Sequence, residues 1–410
     1  MRNGILDNAE VRRQMEIIGK GAVDLLPEDE FVRKLAKSIA ENKPLRVKQG
    51  FDPTAPDIHL GHTVGLRKLR QFQALGHQVV LIIGDYTGLV GDPSGRSATR
   101  PQLSYEQLRE NAETYQKQFF KVIDKSRTEV HFNGEWFEKM GLRDIMALAS
   151  NFTIARLLER DDFEKRYRKG IPIAMHEFFY PLMQAYDSVM VRADVEIGAT
   201  EQTFNLMAGR QIQEAFGQPP QCILTLPILV GTDGVNRMSK SLGNYIGIDE
   251  SPKEIFGKIM SIPDNLTYSY WELVTDTDGA ALRDIKDKLA SPEANPMEIK
   301  KNLGTTLVAM YYDAAAAGKA REEFEHQFSD KGIPDDIPEF SVARLEKRMW
   351  IVKLLTETGM VKSGGEARRL IKGGGLYVNN ERISDDSLEV ELQEGMLVKV
   401  GKRRFFRIVK

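Results

Sequence analysis

The run Leu45-Arg46-Val47-Lys48-Gln49-Gly50-Phe51-Asp52-Pro53-Thr54-Ala55-Pro56-Asp57-Ile58-His59-Leu60-Gly61-His62 reads as a strand ending near Phe51, a proline-punctuated loop, and the entry to a helix. The helix follows from about Thr63: Val64, Leu66, Leu69, Phe72 and Leu75 share one stripe of helical period, and Gly76 supplies the stop at C′. Val79 to Ile83, Glu129 to Phe132 and Ile223 to Val230 are further short apolar runs. A helix between them has a legible start, with Ser104 and Gln107 spaced as a capping box and Pro101 upstream. Strands alternating with helices over residues 1–230 predict an α/β domain on a parallel sheet with crossover helices.

From Ser251 to about Phe328 the pattern is helical and charged, and Lys331-Gly332-Ile333-Pro334-Asp335-Asp336-Ile337-Pro338 has the composition of a linker. A compact α+β unit follows. It holds a helix from Leu345 to Thr358, a second capping box at Ser363 and Glu366 before a helix stopped by Gly373, and two hairpins. The first hairpin turns Leu376-Tyr377-Val378 at Asn379-Asn380, and the second turns Val398-Lys399-Val400 near Gly401-Lys402 into Phe405 to Val409. The expected division is an α/β domain over 1–245, a helical domain over 246–330, a linker over 331–341 and a small domain over 342–410.

Composition narrows the class. A chain of 410 residues suggests two or three domains with their own cores. The single cysteine, Cys222, cannot form an intramolecular disulfide, and no cysteine cluster has zinc spacing, which favours a reducing compartment and no bound metal. No apolar run has the length of a signal core or a membrane span, so a cytoplasmic location is expected. The formal net charge is −2, yet Val342 to Lys410 carries 15 Lys+Arg against 9 Asp+Glu. A basic tail on an acidic body predicts a polyanionic partner.

Two loops carry the chemistry. In the first, a helix N-terminus with its unsatisfied N–H groups attracts phosphate, Gly61 lets a flat base approach the backbone, and His59 and His62 can donate to phosphoryl oxygens. The second is Arg237-Met238-Ser239-Lys240-Ser241, after the turn Gly231-Thr232-Asp233-Gly234 that follows the last strand. A cationic loop at the C-terminal edge of a doubly wound sheet can reach a triphosphate. Either motif alone is also consistent with packing or with a solvated charged loop.

Together, His-Leu-Gly-His after the first strand and Arg-Met-Ser-Lys-Ser after the last resemble class I aminoacyl-tRNA synthetases. Over essentially the whole chain the resemblance is closest to the tyrosyl branch of bacteria, which has Asp-Pro-Thr-Ala-Pro-Asp before its histidine motif. It implies a Rossmann-like catalytic domain over 1–245, a tRNA-contacting helical domain, and a ribosomal-protein-type RNA-binding domain over 342–410. It implies catalytic roles for His59, His62 and Lys240, and an ATP site that also includes Asp52, Thr54, Gly61, Arg237 and Ser239. Within Gly91-Asp92-Pro93-Ser94-Gly95-Arg96, Asp92 would hold the amino acid's ammonium group; Tyr180, Gln184 and Asp187, on one helical face, would bind tyrosine together with Gln202. Asp187 would accept from the phenol, and Gly50, Ala199 and Glu201 would lie at the ribose of the adenylate.

The resemblance further implies ATP with Mg²⁺ as substrate and no tightly bound cofactor, L-tyrosine and tRNA(Tyr) as partners, a homodimer and no membrane. Arg368, Arg369 and Lys372 on the capped helix, with Lys402, Arg403, Arg404 and Arg407 on the last hairpin, are the candidate tRNA contacts. Three positions depart from the family pattern. Lys48 stands where many members have a phenol-touching tyrosine, Gly198-Ala199-Thr200-Glu201-Gln202 replaces Gly-Gly-x-Asp-Gln, and Arg237 opens the second loop in place of lysine. A tryptophan-specific enzyme and a non-catalytic RNA-binding paralogue are the competing readings; the acceptor Asp187 suits a phenol.

Overall fold

Arg46–Phe51 (β2) lies in the interior of a six-stranded sheet. In the computed structural model, which describes residues 8–54, 57–92, 103–291, 295–329, 338–341, 348–379, 381–401 and 404–409, the other strands are Asp24–Leu26 (β1), Gln78–Ile83 (β3), Thr128–Phe132 (β4), Val195–Ala199 (β5) and Cys222–Leu226 (β6). Their order is β1-β6-β5-β2-β3-β4, all parallel except β1, which pairs antiparallel with β6 at the edge. From β2 the chain builds β3 and β4 on one side, then returns to lay β5 and β6 on the other. Loops leaving the C-terminal ends of β2 and β5 therefore diverge, opening a crevice where sheets of this kind bind ligands.

Three boundaries differ from expectation. The helix after the first loop begins at Leu60, not Thr63, because His59 itself is the N-cap; it runs to Ala74, and Gly76 takes the left-handed φ of 92°. The last strand ends at Leu226: Pro227 has no N–H for the ladder, and residues 227–230 continue as loop. The third difference is β5, which sequence patterning did not mark. A strand buried on both faces normally reads as continuous apolar residues, and Glu196 interrupts this one.

Glu196 is nevertheless fully buried, and so is its register partner on β2, Lys48; their side chains form an ion pair at 2.9 Å. Removing two charges from water is costly unless every polar atom is satisfied. Here Lys48 Nζ also donates to Ser188 Oγ at 2.6 Å and to the Gln184 carbonyl at 2.9 Å, while Glu196 accepts from the side-chain amides of Gln184 and Gln221. The pair thus fastens the sheet to the helix Phe179–Met190, which carries three of the predicted substrate residues.

Buried His77 joins β2 to the N-terminal helix Ala9–Gly19: its Nδ1 accepts from Leu45 N–H at 3.2 Å, and Nε2 lies 3.0 Å from Gln14 Oε1. Burial pushes its pKa down from 6.5 to about 4. The unfolded chain takes up this proton from near pH 6.5 downward and the folded chain only near 4, so the associated stability is present above pH 6.5 and is lost as the pH falls toward 4. Thermal unfolding followed by circular dichroism should show a lower Tm at pH 5 than at pH 7, and His77→Gln should lessen the fall.

The chain divides into two units, Met1–Arg321 and Glu322–Lys410. The first includes the helices Pro252–Ser261, Thr267–Val274, Gly279–Ala290 and Pro296–Tyr311, consistent with the helical reading after Ser251. In the second, Glu339–Ser341 (β7), Arg348–Trp350 (β8), Leu376–Val378 (β9), Glu381–Ile383 (β10), Glu389–Glu391 (β11), Leu397–Val400 (β12) and Arg404–Val409 (β13) form a five-stranded sheet, β10-β9-β12-β13-β7, and a β11-β8 pair. Leu354, Leu355, Ile371, Val398, Phe406 and Ile408 are among its buried core.

Both expected hairpins are present, β9-β10 and β12-β13. Of the expected linker, residues 331–337 lie outside those described, and Glu339–Ser341 are strand rather than linker. Arg348–Trp350 are strand where helix was expected, and the helix begins at Ile351. Ser363 caps the next helix through Glu366 N–H, but Glu366 reaches back to Lys362 N–H rather than completing the box; Gly374, not Gly373, takes the positive φ.

Candidate active site

The crevice between β2 and β5 is lined by Gly50, Asp52, Thr54, His59, Gly61, His62, Asp92, Tyr180, Ala199, Glu201, Gln202, Arg237, Ser239 and Lys240. Gln184 and Asp187 do not line it. Sequence reasoning missed Gln49 on β2, whose buried amide oxygen faces the same pocket with no hydrogen-bond partner among the described residues. Its flat carboxamide lies where a Cβ on Gly65 would stand, within 2.2 Å of Nε2, so a bare glycine one helical turn past the histidines was the available signal.

The two imidazoles form a capping box. His59 Nδ1 accepts from Gly61 N–H at 3.2 Å, His62 Nδ1 accepts from His59 N–H at 3.2 Å, and the ring centroids are 3.9 Å apart. An accepting Nδ1 is unprotonated, so in each neutral ring the proton sits on Nε2, leaving two N–H donors. Desolvation lowers both pKa values, with further lowering by the Lys240 ammonium; His62 falls to about 4, and both rings are neutral near pH 7. Gly61 is required for a reason other than the expected approach of a base: a Cβ there would come within 2.9 Å of the His59 ring.

The second loop is hydrogen-bonded to the first. Leu60 N–H donates to the Ile246 carbonyl at 2.9 Å and Ile248 N–H to the Ile58 carbonyl at 3.1 Å. Within the loop, buried Asn244 accepts from Ser239 N–H at 2.8 Å and donates to the Arg237 carbonyl at 3.0 Å, while the Met238 side chain is buried. Lys240 Nζ lies 3.4 Å from Asp57 Oδ2, and Arg237 Nη1 lies 2.8 Å from Glu201 Oε1.

The predicted amino-acid residues separate into two groups. Asp92 accepts from Gln202 Nε2 at 3.1 Å and pairs with Arg160 at 3.3 Å, and Tyr180 donates its hydroxyl to Asp52 Oδ2 at 2.8 Å. Asp52 Oδ1 accepts from Thr87 at 2.8 Å, so its carboxylate is held by two hydroxyls at the end of β2. Deeper, Gln184 is held between Glu196 and Asn205, at 2.9 Å each. Asp187 accepts from Trp136 Nε1 at 2.9 Å and Asn133 Nδ2 at 3.3 Å; burial raises its pKa to about 7 against the lowering effect of Lys48. Of the predicted RNA contacts, Arg368, Arg369, Lys372, Arg404 and Arg407 are exposed, whereas Lys402 and Arg403 lie outside the described residues.

A family model described as tRNA synthetases class I (W and Y) matches residues 40–329, and one described as the SYY-like C-terminal domain of tyrosine–tRNA ligase matches residues 329–408. The chain belongs to the class I tRNA synthetases. Among relatives of this synthetase, the tyrosine–tRNA ligase of Syntrophotalea carbinolica is 53% identical over 97% of the chain and 98% of its own length, and that of Aquifex aeolicus is 51% identical over 97% and 98%. A C-terminally truncated mitochondrial tyrosyl-tRNA synthetase of Aspergillus nidulans shares the synthetase fold at a TM-score of 0.62 and 21% identity, covering 78% of this chain and 94% of that one. An Archaeoglobus fulgidus tyrosyl-tRNA synthetase complexed with L-tyrosine gives 0.60 and 22%, covering 76% and 99%.

Proposed function

We propose that this synthetase is a tyrosine–tRNA ligase, which joins L-tyrosine to ATP as tyrosyl-adenylate and then transfers the tyrosyl group to the terminal adenosine of tRNA(Tyr). The observation that carries the chemistry is the hydrogen-bonded meeting of the histidine motif with the Arg237–Ser241 loop; near-full-length identity of about half to tyrosine–tRNA ligases carries the substrate. A tryptophan enzyme and a non-catalytic paralogue are not favoured, since the relatives reported above are tyrosine ligases.

The substrate carboxylate is already ionised at neutral pH, so its attack on the α-phosphate needs no general base. Alignment and stabilisation of charge growing on the phosphoryl oxygens suffice. The Nε2–H groups of His59 and His62 donate to those oxygens, and Lys240 steadies the departing pyrophosphate. Mg²⁺ enters as part of the nucleotide substrate: among the described residues there is no group of three or more His, Cys, Asp or Glu able to hold it. Asp92, Tyr180 and Gln202 would bind the amino end of tyrosine. Asp187 reaches the phenol only at the floor, beyond the open pocket.

A buried acceptor that expects a hydroxyl is left unpaired by phenylalanine; tyrosyl enzymes rejecting phenylalanine by about 10⁵ are the general illustration of this effect and are not a value obtained for this chain. Tyrosine-dependent ATP–pyrophosphate exchange tests the assignment, and its absence, or exchange supported equally by tryptophan, overturns it. A chain ended before Val342 should retain exchange and lose tRNA charging; equal loss of both would remove the RNA-binding role from the basic domain.

The domain roles given to 1–245, 246–330 and 342–410 belong to the same proposal, as does a cytoplasmic location. Among the described residues no helix is long and apolar enough to cross a membrane. A homodimer is supported by exposed Leu142, Met146, Ile154, Tyr167 and Met175, large apolar side chains gathered in one segment of the first unit. Sedimentation should give twice the chain mass, and Ile154→Asp should shift it toward the monomer.

A further inference from the structure

Two of the positions at which this chain departs from the family pattern touch each other. Glu201 sits in the turn Thr200–Gln202 directly after β5, and Arg237 lies at the base of the second loop, where its backbone bridges to Val230. Arg237 Nη1 is 2.8 Å from Glu201 Oε1 and 3.1 Å from Oε2, and both side chains line the pocket at roughly a third exposed. Glutamate is one methylene longer than aspartate and so reaches farther across the crevice. Arginine presents a planar fork able to meet both carboxylate oxygens, where a lysine would offer a point charge.

We propose that Glu201 is a positioning residue for Arg237: the ion pair tethers the Arg237–Ser241 loop to the wall that follows β5 and cancels a carboxylate charge beside the path of the triphosphate. The departures are then one compensated change rather than two defects. A surface pair of this exposure contributes little stability by itself. Its effect comes from what each partner does when left alone: an unpaired Glu201 repels the nucleotide, and an untethered loop must be ordered when ATP binds.

The kinetic part rests on the ATP-activation reading above; the tether does not. In ATP–pyrophosphate exchange, Arg237→Met should raise KM for ATP roughly tenfold with a smaller change in kcat, and adding Glu201→Gln should recover most of that loss. An equal cost of Arg237→Met with Glu or Gln at position 201 would mean that Arg237 acts on phosphate directly, and would overturn the pairing role. Hydrogen exchange on the ligand-free protein gives an independent readout, since it requires no activity. Amides from Asp233 to Gly243 should exchange faster in Glu201→Gln than in the parent, and unchanged rates would overturn the tether. A chain inactive with tyrosine but showing faster loop exchange would sink the activity reading and keep the tether.

Discussion

Lys240→Ala is expected to slow tyrosyl-adenylate formation by roughly 10²–10³-fold, the usual cost of losing one donor that acts on charge developing in the transition state. The argument is geometric. Lys240 stands on a short 3₁₀ turn, Lys240–Leu242, ended by Gly243 at a φ of 66°, and its ammonium is close enough to lower the pKa of both His59 and His62. Its nearest printed partner, Asp57 at 3.4 Å, holds it loosely, leaving it able to turn to a polyphosphate. Because the interaction strengthens as pyrophosphate departs, kcat should fall far more than KM for tyrosine rises. Single-turnover measurement of adenylate formation checks this, and a near-normal rate in the variant would remove Lys240 from the mechanism.

Lys48→Met should destabilise the fold by about 3–5 kcal/mol, because it leaves Glu196 charged and fully buried without its partner. Replacing both charges, as Lys48→Met with Glu196→Gln, should recover much of that loss, since two neutral groups of similar volume need no compensation. Urea unfolding of the three proteins checks the prediction; a single variant as stable as the parent would mean that the pair is not carried as an ion pair. Loss of Lys48 also removes the positive charge that opposes burial at Asp187, so the Asp187 carboxyl should become harder to ionise and tyrosine should bind more weakly.

Lys48 also shows where sequence reading stopped. Most of the sheet was legible because β2, β3 and β4 carry short apolar runs, and the capping box at Ser104 was legible because its two side chains are three residues apart and bond only to local backbone. β5 was hidden by Glu196, whose burial makes sense only with a residue 148 positions earlier on the neighbouring strand. The same holds for Arg237 and Glu201, each of which looked like an isolated departure until the loops were brought together. The start of the first helix was missed for a different reason: histidine is an uncommon N-cap, and its capping role depends on which ring nitrogen faces the backbone.

That orientation has a further consequence. One nitrogen of each imidazole is committed to a main-chain N–H, and both rings resist protonation well into the acid range. In the proposed reaction neither ring gains or loses a proton while tyrosine and ATP react, so the charge inventory of the protein is the same before and after the adenylate forms. All of the charge redistribution then belongs to the substrates, and the helix start beginning at Leu60 serves as a fixed reference against which their electrons move.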